Sequence, residues 1–372
     1  MIKLKKILCL LLALAMLTSC TKKEEYTVYK NLSLTAGFDT FIEIQIATTS
    51  EEKFNNYYED LLKEFSYYNQ LFDIYHTYDG INNLKTINDS AGIAAVVVDQ
   101  KIIDMLTLCK EFYELTDHEF DITMGPVLKI WHQYREAGIM SNAEGKYGSL
   151  PPIEKLETAY ACTGWDKVEI NDEDNTVYLN QECASLDVGG VAKGYATEML
   201  ANKLEEENVK MAVVNAGGNN RTINSKLSGD PWVVGIQDPS DSGTLLAIKK
   251  QGSSSFVTSG DYQRFYIAED GNSYNHIIDP KTLYPATNFR SVSVFTKNSA
   301  IADILSTSLY TMSYEDGIEL LAKVQKLYPS EQFDDLWIVS KDHQLTTDNY
   351  IELDNYYILY TPNIKDSIVL TQ

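Results

Sequence analysis

Between residues 40 and 47 the chain alternates strictly, Phe41, Glu43 and Gln45 against Ile42, Ile44 and Ile46, the period of a half-buried strand. Residues 51–71 read as a helix, and so do residues 100–115, where Ile102, Ile103, Leu106 and Phe112 share one face. Leu150-Pro151-Pro152 opens a short helix reaching about Ala161. Apolar runs at 168–170 and 177–179 flank Asn171-Asp172-Glu173-Asp174, a hairpin signal. A helix over 191–206 leads into a strand over 211–215. From Pro231 onward short strands dominate, at 232–236, 245–248, 264–267 and 291–295, interrupted by helices over 300–312 and 314–327. No repeat or long linker divides these elements. The pattern predicts an α+β fold with helices packed on a largely antiparallel sheet, in two interleaved lobes.

The N-terminus follows a different logic. Lys3, Lys5 and Lys6 precede an apolar run from Ile7 to Leu17, which is too short for a mature transmembrane helix and has the layout of an export signal. It ends in Leu17-Thr18-Ser19-Cys20, an arrangement that resembles the lipobox of bacterial lipoproteins. The expected organisation is a signal over residues 1–19, a lipidated Cys20 with a polar tether over 20–31, and one folded unit over 32–372. The expected location is the outer face of a bacterial cell membrane.

Charge narrows the partners. The chain has 31 basic and 53 acidic residues, a formal charge of −22; removing three lysines with the signal takes the mature chain to about −25. Such a polyanion is no nucleic-acid binder, and its anchor must be lipid rather than electrostatic. Past Cys20 the cysteines are Cys109, Cys162 and Cys183. An odd number without CxxC spacing indicates neither a disulfide framework nor a zinc site, and they are expected to be buried small hydrophobes. The five histidines are scattered and no HExxH occurs, which argues against a zinc hydrolase.

Three stretches could carry chemistry. Leu186-Asp187-Val188-Gly189-Gly190-Val191-Ala192-Lys193-Gly194 runs through two glycines into a helix; its start amides and Lys193 suit a phosphate, and helix capping alone is an equal reading. Asp303, Ser306 and Thr307 fall at i, i+3 and i+4 and so share a helix face. An oxygen-only face is the ligand set of a hard cation, Mg²⁺ before Ca²⁺; an acid complementing the helix dipole is the alternative. The third stretch joins the turn Thr258-Ser259-Gly260-Asp261 to His276 at a strand end. His276 is either structural or a proton-handling residue.

The order of these pieces is more specific than any one of them. Phe120-Asp121-Ile122-Thr123 with Trp131, Gly164-Trp165, the Asp187 to Tyr195 turn, Asn215-Ala216-Gly217-Gly218-Asn219, Thr258 to Tyr262, His276-Ile277-Ile278-Asp279-Pro280 and Ala302-Asp303 with Thr307 together resemble the ApbE family of exported, Mg²⁺-dependent flavin transferases. The resemblance implies that FAD is the substrate and that FMN passes to a threonine hydroxyl of an exported acceptor flavoprotein, with release of AMP. It places Mg²⁺ on Gly190, Asp303, Ser306 and Thr307. It places FAD against Phe38, Tyr78, Trp131, His132, Asp187, Lys193, Thr258, Ser259, Asp261 and Ile277, with His276 and Asp303 as candidates for the acceptor's proton. Two positions depart from the family pattern: Phe38-Asp39-Thr40 stands where Met-Gly-Thr is common, and Leu283 replaces a glycine. Hydrolysis of FAD to FMN and AMP, or storage of FAD without chemistry, are the alternative readings.

Overall fold

The computed structural model describes residues 24–370 except Ser242; the expected export signal and Cys20 lie outside the described residues. β1 (Thr27–Gly37) and β2 (Thr40–Thr48) form a hairpin whose two-residue turn is Phe38-Asp39. Both turn residues have positive φ, 55° and 49°, as a turn matched to strand twist requires. The order continues through α1 (Glu51–Phe72), α2 (Leu84–Asp89), β3 (Val96–Val97), α3 (Gln100–Leu115), α4 (Gly125–Ala143) and α5 (Ile153–Tyr160). The hairpin of β4 (Val168–Asn171) and β5 (Thr176–Leu179) precedes α6 (Ala192–Glu206). Then come β6 (Ala212–Ala216), β7 (Asn219–Ile223), β8 (Trp232–Gln237), β9 (Thr244–Lys250), β10 (Ser254–Gly260), β11 (Tyr266–Ile267), β12 (Ser273–Tyr274) and β13 (Ser291–Thr296). α7 (Ser299–Thr311), α8 (Tyr314–Leu327), β14 (Asp334–Ser340), β15 (Tyr350–Leu353), β16 (Tyr356–Tyr360) and β17 (Ile368–Leu370) complete the chain.

Nine strands make one antiparallel sheet in the order β1-β2-β6-β7-β10-β13-β14-β16-β15, and β17-β9-β8 make a second. The central strands bury both faces. On one, Val257, Val292, Val294, Trp337 and Leu359 join the main core with α1, α3, α6, α7 and α8. On the other, Phe256, Phe295, Leu336 and Ile358 meet Ile236, Leu246 and Ile248 of the three-stranded sheet. Alternate residues therefore enter different cores, and these strands carry long apolar runs. A third cluster joins Val127, Ile130 and Trp131 of α4 to Leu156, Tyr266 and Leu283. This is the expected α+β architecture.

Three expectations change. Strand β1 starts at Thr27 and pairs with Thr48, so residues 27–31 are sheet rather than tether. Helix α4 is absent from the periodicity reading, because its buried stripe at Val127, Ile130 and Trp131 is followed by the polar run His132 to Glu136. Cys162 and Cys183 form a disulfide, and only Cys109 is a buried free thiol among the described residues. Their separation of 21 residues has no motif spacing; proximity comes from packing the segment after α5 against the one before α6.

Candidate active site

Helices α6 and α7 meet where the two motifs cross. α6 has no side-chain cap of its own; instead the Gly194 N–H donates to Asp303 Oδ2 of α7 at 2.8 Å. A Cβ at Gly194 would stand 2.5 Å from Asp303 Cβ, so only glycine admits this approach. One turn further along α7, Thr307 faces the glycine turn, and a Cβ at Gly190 would lie 3.2 Å from its Oγ1. Asp303, Thr307 and Gly190 thus border one cavity of about 530 Å³. They offer a carboxylate, a hydroxyl and a backbone oxygen, a donor set that fits a hard cation such as Mg²⁺. Among the described residues no group of three or more His, Cys, Asp or Glu is placed to hold a metal.

Burial pushes the Asp303 carboxyl above its ordinary pKa, while the Lys193 charge and the Gly194 amide pull it down. Ser306 is fully buried and outside the cavity wall. Its hydroxyl donates to the Asp303 carbonyl at 3.0 Å and lies 2.9 Å from Ser259 Oγ, which does face the cavity. Ser306 therefore positions a neighbour instead of joining the oxygen set.

Of the expected FAD contacts, Trp131, His132, Asp187, Lys193, Thr258, Ser259 and Ile277 line the cavity, with His276 beside them. Phe38, Tyr78 and Asp261 do not. Phe38 packs on Phe65 with ring centroids 5.0 Å apart, leaving Asp39 and Thr40 at the wall. The Tyr78 hydroxyl donates to Asp73 at 2.7 Å, and Asp73 also accepts the backbone N–H of Tyr75 at 2.6 Å. Tyr75 is the residue of this segment that reaches the cavity, its ring 5.4 Å from that of His132. Asp261 accepts from Arg290 Nε at 2.7 Å. Asp187 accepts the Gly189 N–H at 2.9 Å; burial raises its pKa, against the charges of His132 and Arg135.

Arg135 and Arg264 also line the cavity, and sequence reasoning missed both. A signal was available: the chain has only four arginines, Arg135, Arg221, Arg264 and Arg290, a small set to place in so acidic a protein. Arg135 Nη2 donates to His132 Nδ1 at 2.8 Å, leaving His132 Nε2 to meet Glu136 at 3.0 Å. Burial and the neighbouring Arg264 lower the Arg135 pKa. The same cations act on His276, whose pKa falls to about 3 through burial first and then Arg264, Arg135 and Lys193. Its Nδ1 is buried without a protein partner. The ring is neutral at neutral pH, with a nitrogen left over.

An antiparallel α+β frame whose cavity sets the oxygens of Gly190, Asp303 and Thr307 beside Lys193, Arg135 and Arg264, with Trp131 and Tyr75 on its wall, has the lining that suits an aromatic phosphorylated molecule. The ApbE family model matches residues 38–328. An FAD:protein FMN transferase of Klebsiella pneumoniae is 29% identical over 267 residues, covering 71% of this chain and 75% of that protein. One from Treponema pallidum is 32% identical over 254 residues, 64% of this chain and 67% of its own length. The crystal structure of the ApbE protein of Thermotoga maritima superposes with a TM-score of 0.72 at 27% identity, over 92% of this chain and 99% of the other. This chain belongs to the ApbE family.

Proposed function

We infer that the protein is an FAD:protein FMN transferase. The observation that carries the reading is the convergence of Gly190, Asp303 and Thr307 with Lys193, Arg135 and Arg264 on one cavity. A diphosphate needs such positive surroundings in a chain of formal charge −22. Gly190, Asp303 and Thr307 would hold Mg²⁺, which neutralises diphosphate oxygens and polarises the phosphorus. Lys193, Arg135 and Arg264 orient the diphosphate, and Trp131 and Tyr75 supply aromatic surface for the flavin. An acceptor threonine oxygen then bonds to the phosphorus on the flavin side, the bond to the AMP oxygen breaks, and AMP departs. Asp303 is committed to the Gly194 amide and the oxygen cluster, so His276, with its unpartnered Nδ1, is the group that takes the hydroxyl proton.

The lipobox reading makes the protein an exported lipoprotein anchored through Cys20. The Cys162–Cys183 disulfide supports it, because such bonds persist in oxidising compartments.

The test incubates the mature protein with FAD and Mg²⁺, with and without an acceptor protein, and follows AMP release and in-gel flavin fluorescence. Acceptor-dependent AMP with covalently bound FMN is expected; rapid AMP release without any labelled protein would make the enzyme a pyrophosphatase. In Asp303→Asn the anionic ligand is lost while size is kept, and turnover should fall by about 100-fold, at or above the loss from removing an outer-shell partner of a metal site.

A further inference from the structure

Strand β8 is the outermost strand of its three-stranded sheet; it pairs with β9 on one side, and no other described segment bridges its second edge. Four consecutive residues of it, Val234, Gly235, Ile236 and Gln237, line the active-site cavity. Side chains alternate across a strand, so a cavity lying on one face would meet every second residue. Contact with four in a row at the end of β8 is the pattern of a cavity that reaches the hydrogen-bonding edge rather than one face. Every second residue of β8 sends its N–H and C=O out over this edge.

The edge is also undefended. Native proteins blunt free edges with charge, proline or cover, and 23% of this chain is charged, yet Trp232-Val233-Val234-Gly235-Ile236-Gln237 has no charge and no proline. Val233 is 51% exposed. An apolar edge left open on the same cavity as Lys193, Arg135 and Arg264 fits one occupant, a polypeptide that lies extended next to the proposed diphosphate site. Resting on the transferase reading above, we propose that the acceptor protein docks by β-strand addition. Its hydroxyl-bearing segment becomes the fourth strand of the β17-β9-β8 sheet, with main-chain hydrogen bonds to β8 supplying affinity.

The probe is a mixture of synthetic eleven-residue peptides with one fixed central threonine, given to the mature enzyme with FAD and Mg²⁺. Labelled peptides are identified by mass and then N-methylated one residue at a time. The expected result has a period of two: methylation at alternate positions lowers transfer about tenfold, and at the positions between leaves it nearly unchanged. Amide exchange at alternate residues within 233–237, those whose N–H groups face away from β9, should slow when a labelled peptide is added to the FAD complex. Insensitivity to methylation, protection of these amides by FAD alone, or labelling of an intact acceptor protein with no peptide labelled would overturn strand addition while leaving the enzyme's reaction intact. Absence of both FAD binding and AMP release would instead remove the transferase reading, and this inference with it.

Discussion

At residue scale, His276 shows how a site sets the state of its own reagent. With burial and three cations holding its pKa near 3, the ring cannot act as an acid in the free protein. A bound diphosphate neutralises part of Lys193, Arg135 and Arg264, so the histidine becomes a stronger base when substrate is present. NMR titration of the free protein should find the ring neutral down to about pH 4, and FAD should move its titration upward; a ring titrating near its ordinary value without FAD would contradict this. Leu283 makes the complementary point. It holds φ of 62° in place of the family's glycine, while its carbonyl accepts from Trp131 Nε1 at 2.8 Å and its side chain is buried. In Leu283→Gly the relief of left-handed strain, about 1–2 kcal/mol, is smaller than the lost packing, about 2–5 kcal/mol. The variant should be less stable by about 1–3 kcal/mol by denaturant midpoint; a gain would mean strain dominates.

At element scale, the site depends on how α6 and α7 are fixed. Arg221, fully buried on β7, donates to Glu198 Oε2 at 3.0 Å and Glu205 Oε1 at 3.0 Å on α6. Glu198 in turn accepts the Ser299 N–H at the start of α7 at 2.7 Å. One guanidinium thus sets two helices that present Lys193, Asp303 and Thr307 to the cavity. Arg221→Met leaves Glu198 buried without its partner and should cost about 3–5 kcal/mol, read as a shifted denaturation midpoint. A shift below about 1 kcal/mol would mean that the Ser299 amide satisfies Glu198 unaided.

At the scale of the whole molecule, the disulfide joins the segment after α5 to the one that leads into Asp187. That second segment is already pinned by Asn88, whose side chain accepts the Leu186 N–H at 2.8 Å and donates to its carbonyl at 3.0 Å. The double variant Cys162→Ala/Cys183→Ala should lose about 2–4 kcal/mol of stability, and a reductant should match that loss in the parent chain alone. Equal stability with and without reductant would show that the Asn88 contacts suffice.

The alternation at residues 40–47, the helical spacing of 51–71 and 100–115, and the i, i+4 placement of Asp303 and Thr307 were legible in the sequence, because local periodicity decides which face is apolar. So was the order of motifs that marks the ApbE family. Which residue of a motif reaches the cavity was decided by packing. Phe38 turns to Phe65, Ser306 to Ser259 and Asp261 to Arg290, while Arg135 and Arg264 reach the cavity from just past the motifs that end at Trp131 and Tyr262. The Cys162–Cys183 bond and the open edge of β8 arise the same way. Periodicity records a side chain's angle on its own element; partners far along the chain exist only once the sheets and helices have closed around the core.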